Sequence, residues 1–162
     1  MTHPMRRQDR AITDSGTIDD ILSAARFATI GLCDGHEPYV VTLSCGYDAD
    51  RRRLCFHVAT TGRKLDIIAA NPRACATVVE DLGYKHGKCA HPFRSVVLTG
   101  TMRLVDDAED VRAGMRNLIG QLESDEDATA IFEKHKLGTA AALDRFRMLV
   151  LDIEDVCAKQ DE

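Results

Sequence analysis

Apolar residues change their spacing several times along this chain, and each change marks an element. Between Thr17 and Arg26, Ile18, Ile21, Leu22 and Ala25 fall on one face at helical spacing. Thr17 and Asp20 resemble a capping box, with Asp in place of the usual Glu. Phe27–Cys33, Tyr39–Cys45 and Arg53–Val58 are short runs that read as strands. Asp34-Gly35 between the first two signals a hairpin, and Asp48-Ala49-Asp50 makes a second turn.

Lys64–Ala70 reads as a short helix stopped by Asn71-Pro72, and Ala74–Glu80 as another strand. Residues 83–92 are polar and irregular. Phe93–Val105 is a long strand, in which Val96, Leu98, Gly100, Met102 and Leu104 alternate with Ser95, Val97, Thr99, Thr101 and Arg103. Asp106–Ser124 is an amphipathic helix, with Asp106 and Asp107 at its positive end and Val111, Met115, Leu118 and Leu122 along one stripe. Residues 125–144 hold a looser helical stretch. Phe146–Ile153 is a returning strand, and the acidic tail after Asp155 is expected to fray. Six antiparallel strands with helices at the margins predict an α+β fold built on a small barrel. The expected organisation is a mobile arm over 1–14, one domain over 15–156 and a tail over 157–162.

Composition narrows the function. The 162 residues suffice for one real core, burying roughly 70% of the unfolded surface. A net charge of −5, from 21 basic and 26 acidic side chains, argues against a nucleic-acid or anionic-membrane surface. No apolar run approaches the ~20 residues of a membrane span. The N-terminal MTHPMRRQDRAITD lacks the apolar core of a secretory signal, so the cytoplasm is expected. Cys33, Cys45, Cys55 and Cys75 sit in apolar runs and read as free core thiols. The spacing contains no C-x-x-C pair.

The chemistry concentrates in LCFHVATTGRKLDIIAANP, residues 54–72: a strand, a turn and a helix start. A helix start offers unpaired backbone N–H groups and the positive end of a dipole. Gly62 lets a ligand approach the backbone, and Arg63 and Lys64 add two positive charges. The ligand implied is a phosphate on a small molecule. His57 stands in the preceding strand, either as a structural residue or as a donor to a bound substrate. His86, Cys89 and His91 invite a zinc or haem reading, against a polar loop that edges a groove. Glu80 and Asp81 are expected to be solvated. The stripe over 106–124 packs on the barrel or meets a partner.

Together MRRQDRAITD, EPYVVTLSCGYD, LCFHVATTGRKLDIIAANPRAC, FRSVVLTGTMRLVDD and FRMLVLDIEDV span nearly the whole chain. In that order they resemble the pyridoxamine 5′-phosphate oxidase-like superfamily of FMN-binding split barrels, and within it the nitroimidazole-resistance branch. The resemblance implies a six-stranded antiparallel split β-barrel and a homodimer with FMN between the subunits. Arg63 and Lys64 match the family's phosphate-binding pair, and Gly62 precedes them where the oxidases often have Ser. His57 and Val58 match residues lining the flavin; Tyr39, Val40, Val41 and Thr42 match the strand along its ring. Ser95 falls where the oxidases place a flavin-contacting Gln. The oxidases' basic residues on the second strand are replaced by Tyr39 and Ser44, and their C-terminal Arg-x-His motif is missing. Pyridoxamine phosphate oxidation itself is therefore not expected. Two functions are implied: an FMN-dependent oxidoreductase reducing a small planar acceptor such as a nitroimidazole or quinone, with His57 catalytic, or a flavin- or haem-binding carrier or sensor.

Overall fold

The computed structural model describes residues 5–137, 139 and 145–161. Among these, a 3₁₀ turn over Gln8–Arg10 leads into β1 (Ala11–Ile12) and α1 (Ser15–Ala24). Next come β2 (Phe27–Asp34), β3 (Glu37–Ser44), β4 (Gly46–Asp48), β5 (Arg53–Val58), α2 (Arg63–Ala70) and β6 (Arg73–Asp81). The chain ends with β7 (Phe93–Val105), α3 (Ala108–Gly120), α4 (Asp125–Lys134) and β8 (Arg147–Asp161). The strands form one antiparallel sheet in the order β3-β2-β6-β7-β8-β5-β4, with β1 paired to β8. This is an α+β split barrel of eight strands rather than six. The two additions, β1 and β4, are two and three residues long and too short to carry an alternating pattern.

The interior comes from alternate strand positions: Ala28, Ile30 and Leu32 of β2, Leu54, Phe56 and Val58 of β5, Ala76 and Val78 of β6, Val96 and Leu98 of β7, and Leu149 and Leu151 of β8. Ile21 and Leu22 of α1 and Ile67 and Ile68 of α2 complete that core. On the outer side of β5 and β8, Cys55, Met148 and Val150 pack against Val111, Met115 and Leu118 of α3. Val111, Met115 and Leu118 of the expected 106–124 stripe thus form a packed face, whereas α3 ends at Gly120 and Leu122 beyond it is exposed. Gly46 of β4 makes this packing possible, because a Cβ there would lie 2.5 Å from the backbone nitrogen of Leu118.

Several expectations are corrected. Asp14, not Thr17, caps α1: its carboxylate accepts the Thr17 N–H and hydroxyl, each at 2.8 Å. The 1–14 arm is tied down in its second half, since Ala11 and Ile12 pair with Lys159 and Ala158, and Arg10 meets Asp161 at 2.5 Å. Beyond Asp155 the chain does not fray. It runs on as β8 to Asp161, pairing with β7 as far as Phe93. The looser helix is α4, and positions 138 and 140–144 of that stretch lie outside the described residues. Cys45 and Cys55 are buried, and burial pushes their thiols up to about 12 and about 11. Cys75, however, is exposed and Cys33 only partly covered. All six cysteines are free. Among the described residues no helix is long and apolar enough to cross a membrane.

Candidate functional site

The turn expected to hold a phosphate forms where strand, glycine and helix meet. β5 ends at Val58, and α2 begins at Arg63 with Gly62 as its N-cap. Gly62 has φ 135°, a conformation that disfavours a side chain, and open space surrounds the place where a Cβ would stand. The Gly62 carbonyl accepts from Leu65 and Asp66, turning the first backbone N–H groups of α2 outward from the helix body. Ile67 and Ile68 anchor the helix in the core, so the turn is held from below.

Arg63 is exposed, yet two neighbours hold its guanidinium. Its guanidinium carbon lies 4.9 Å from the centre of the Tyr39 ring on β3, a cation–π contact. One of its terminal nitrogens donates to Asp34 Oδ2 at 3.4 Å. The structure thus joins Tyr39 and Arg63 and adds Asp34, which the sequence offered only as a turn residue. Lys64 follows, half-buried on the same first turn.

The other expected flavin residues separate by strand geometry. On β3, Tyr39 and Val41 turn toward the core, whereas Val40 and Thr42 face outward. Thr42 meets Thr29 of β2 hydroxyl to hydroxyl at 3.0 Å. On β5, Val58 points into the barrel, and His57 faces the α3 side with Cys55. The His57 ring rests on Phe146 with 4.7 Å between centroids. Although its side chain is exposed near the end of β5, partial burial lowers its pKa below the ordinary 6.5 and favours the neutral imidazole. A neutral imidazole donates a hydrogen bond through one N–H and accepts through the other nitrogen. Ser95 is buried on β7, in register between Val79 of β6 and Lys159 of β8, away from the Arg63–Tyr39 contact in sheet order. Phe146 was missed as a site residue because nothing in its spacing links it to His57.

The loop between β6 and β7 closes on itself. His91 Nε2 meets Asp81 Oδ1 at 2.8 Å, and the Tyr84 ring stands edge-on to His86 and His91 at 5.2 and 6.0 Å. Among the described residues no group of three His, Cys, Asp or Glu is placed to hold a metal ion. Glu80 is paired rather than freely solvated, accepting from Arg94 at 2.6 Å.

A family model described as pyridoxamine 5′-phosphate oxidase matches residues 14–160. No curated protein matches the chain. Among solved structures, a candidate 5-nitroimidazole antibiotic resistance protein from Bacteroides thetaiotaomicron superposes with a TM-score of 0.70 at 20% identity, covering 99% of this chain and 100% of that one. The flavocytochrome Anf3 from Azotobacter vinelandii gives 0.77 at 23% identity, over 99% of this chain and 73% of its own. An FAD- and haem-binding protein from Mycobacterium smegmatis gives 0.75 at 20% identity, over 94% and 74%. At these identities the superpositions establish the shared fold. The family match over residues 14–160 goes further: the chain belongs to the pyridoxamine 5′-phosphate oxidase family.

Proposed function

We propose that this protein binds a flavin nucleotide, FMN, between two copies of itself and reduces a small planar acceptor such as a nitroimidazole or quinone. One observation carries the cofactor reading. Arg63 is steered by the Tyr39 ring beside an open glycine turn at a helix start. Such a turn suits a phosphate, which accepts from backbone N–H groups and from Arg and Lys together. The donor set therefore fits the group, with Gly62, Arg63 and Lys64 as phosphate residues and Tyr39 and its strand beside the ring. Flavoproteins among the fold neighbours support the same ligand class. Flavin supplies hydride or electron chemistry when bound, and the protein supplies binding and orientation.

The chain's own part in the reaction centres on His57. Favoured in its neutral form and backed by Phe146, it presents a hydrogen-bond donor to an acceptor near the exposed end of β5. His57→Ala should slow acceptor reduction, per bound FMN, by up to about tenfold, because a neutral imidazole lends the acceptor a hydrogen bond worth about 0.5–1.5 kcal/mol rather than a proton. The rate is measured in single turnover from chemically reduced protein. Equal rates would remove His57 from the reaction.

The second subunit is argued from the sheet. Thr42, Thr29, Thr77, Val97 and Cys157 form a continuous outward row across β3, β2, β6, β7 and β8, and none is charged. Beside it, Phe27, Val40 and Val79 are 60%, 64% and 61% exposed. α3 covers the outer face of β5 and β8, but this part of the sheet carries no such cover among the described residues. A face of this kind, charged at Asp155 and Lys159 along its β8 side, on a chain of net charge −5 suits burial against a copy of itself. Val79→Arg should shift the sedimenting species from two chains toward one while leaving each chain folded. A dimer unaffected by that charge would place the interface elsewhere.

A second reading, a flavin- or haem-binding carrier without turnover, draws on the haem-binding neighbours and the Tyr84–His86–His91 ring cluster. Failure of the protein to reduce any of several nitroimidazoles and quinones would favour it.

A further inference from the structure

We propose that Asp34 is a resident anion at the phosphate site and sets, by its charge, the balance between flavin nucleotides. The inference rests on the reading of Gly62, Arg63 and Lys64 as that site. Asp34 closes β2 and stands in register with Glu37, across a tip where Gly35 has φ 62°. The hairpin end therefore places a carboxylate beside the start of α2, where Asp34 Oδ2 accepts from Arg63 at 3.4 Å.

That bond is weak. The two side chains are 51% and 61% exposed, and a single long contact in water holds little. Arg63 has a separate support in the Tyr39 ring, 4.9 Å from its guanidinium carbon. It keeps its place when Asp34 lets go. A phosphate bound to Arg63 takes over the guanidinium and comes to rest within a few ångströms of the displaced carboxylate. The two anions then repel, and the repulsion scales with the charge on the phosphate. The terminal phosphate of FMN is a monoester and carries nearly two negative charges once the pH is well above its second pKa of about 6. The pyrophosphate of FAD also carries two charges, but it spreads them over two phosphorus centres, so only one of them can lie nearest Asp34. Asp34 thus penalises FMN more heavily than FAD and leaves riboflavin, which has no phosphate, untouched.

The test is equilibrium titration of the full-length protein and its Asp34→Asn variant with FMN, FAD and riboflavin at about pH 8 and constant salt. Asp34→Asn should tighten FMN roughly fivefold and FAD by a smaller factor, with riboflavin unchanged, as expected for exposed charges in water when the two charges of FMN sit on one phosphorus and those of FAD are spread over two. Asp34→Glu should keep the wild-type balance. No tightening, equal tightening of FMN and FAD, or weaker FMN binding would overturn the inference; the last would make Asp34 a support for Arg63 instead. Wild-type protein that binds riboflavin as tightly as FMN would overturn the phosphate site itself, a different result from a flat Asp34→Asn comparison. Unchanged thermal unfolding of both variants confirms that charge alone has been altered.

Discussion

Removing both cations from the turn, as Arg63→Ala with Lys64→Ala, should weaken FMN binding more than a hundredfold while leaving riboflavin binding nearly unchanged. Each charge-assisted hydrogen bond to a phosphate is worth about 1.5–3 kcal/mol, so two lost bonds amount to about 3 kcal/mol or more. At 1.4 kcal/mol per factor of ten, that is over a hundredfold in the dissociation constant. The fold should survive, because Arg63 is exposed and the helix is anchored by Ile67 and Ile68. The single variants share the loss unequally. Arg63 also gives up its contact with the Tyr39 ring, whereas Lys64 gives up only its charge. Fluorescence titration of flavin checks the outcome; an unchanged dissociation constant would remove the turn from the site.

Arg53→Ala should destabilise the folded protein by about 3–5 kcal/mol, the usual cost of breaking a buried ion pair. Arg53 is 1% exposed, yet it carries a full charge. Its Nε donates to Asp48 Oδ2 at 3.2 Å, and a terminal nitrogen donates to Asp110 Oδ1 at 3.4 Å. Asp48 is itself buried and Asp110 sits in the first turn of α3. The guanidinium therefore ties β4 and β5 to the helix that covers them. Without it, among the described residues the Asp48 carboxylate keeps only Arg51, whose backbone N–H donates at 3.1 Å and whose half-exposed guanidinium lies at 3.2 Å. Urea unfolding at one fixed protein concentration measures the loss, since dimerisation would otherwise shift the midpoint. A change below about 1 kcal/mol would mean that water reaches this cluster and screens it, as at a surface pair.

Most of the barrel was legible because burial on one face imposes a period. The bounds of β7 and the middle of its pattern were readable, since Val96, Leu98 and Met102 enter the core while Val97, Thr99 and Thr101 do not; at its ends the pattern fails, with Ser95 buried and Leu104 exposed. β8 was readable only as far as its apolar half. In its second half only Ala158 is buried, and order there comes from ladder bonds to β7 and β1, which leave no hydrophobic signature. The α1 cap was misplaced because Thr17 and Asp14 both suit an N-cap; the Asp14 carboxylate wins by taking both the amide and the hydroxyl of Thr17.

The site divides in the same way. Gly62, Arg63 and Lys64 were legible because strand, turn and helix are consecutive there. The tertiary partners were not. Asp34 reaches Arg63 across 29 residues of sequence, and Phe146 reaches His57 only because β5 and β8 pair with His57 opposite Met148. Nor does a four-residue string such as Tyr39 to Thr42 say which side chains share a face with a ligand. The pleat sends Tyr39 and Val41 one way and Val40 and Thr42 the other. The outward pair belongs to the sheet face proposed as the subunit interface, and the inward Tyr39 to Arg63, the proposed phosphate residue.

The most direct test of a flavin nucleotide held between two copies of this chain is sedimentation of the FMN-saturated protein, followed at a flavin absorption band. Flavin absorbance should travel with a species of twice the 17.9 kDa chain mass, at one flavin per chain. Flavin that stays behind as free FMN, or that travels with a single 17.9 kDa chain, would contradict the account.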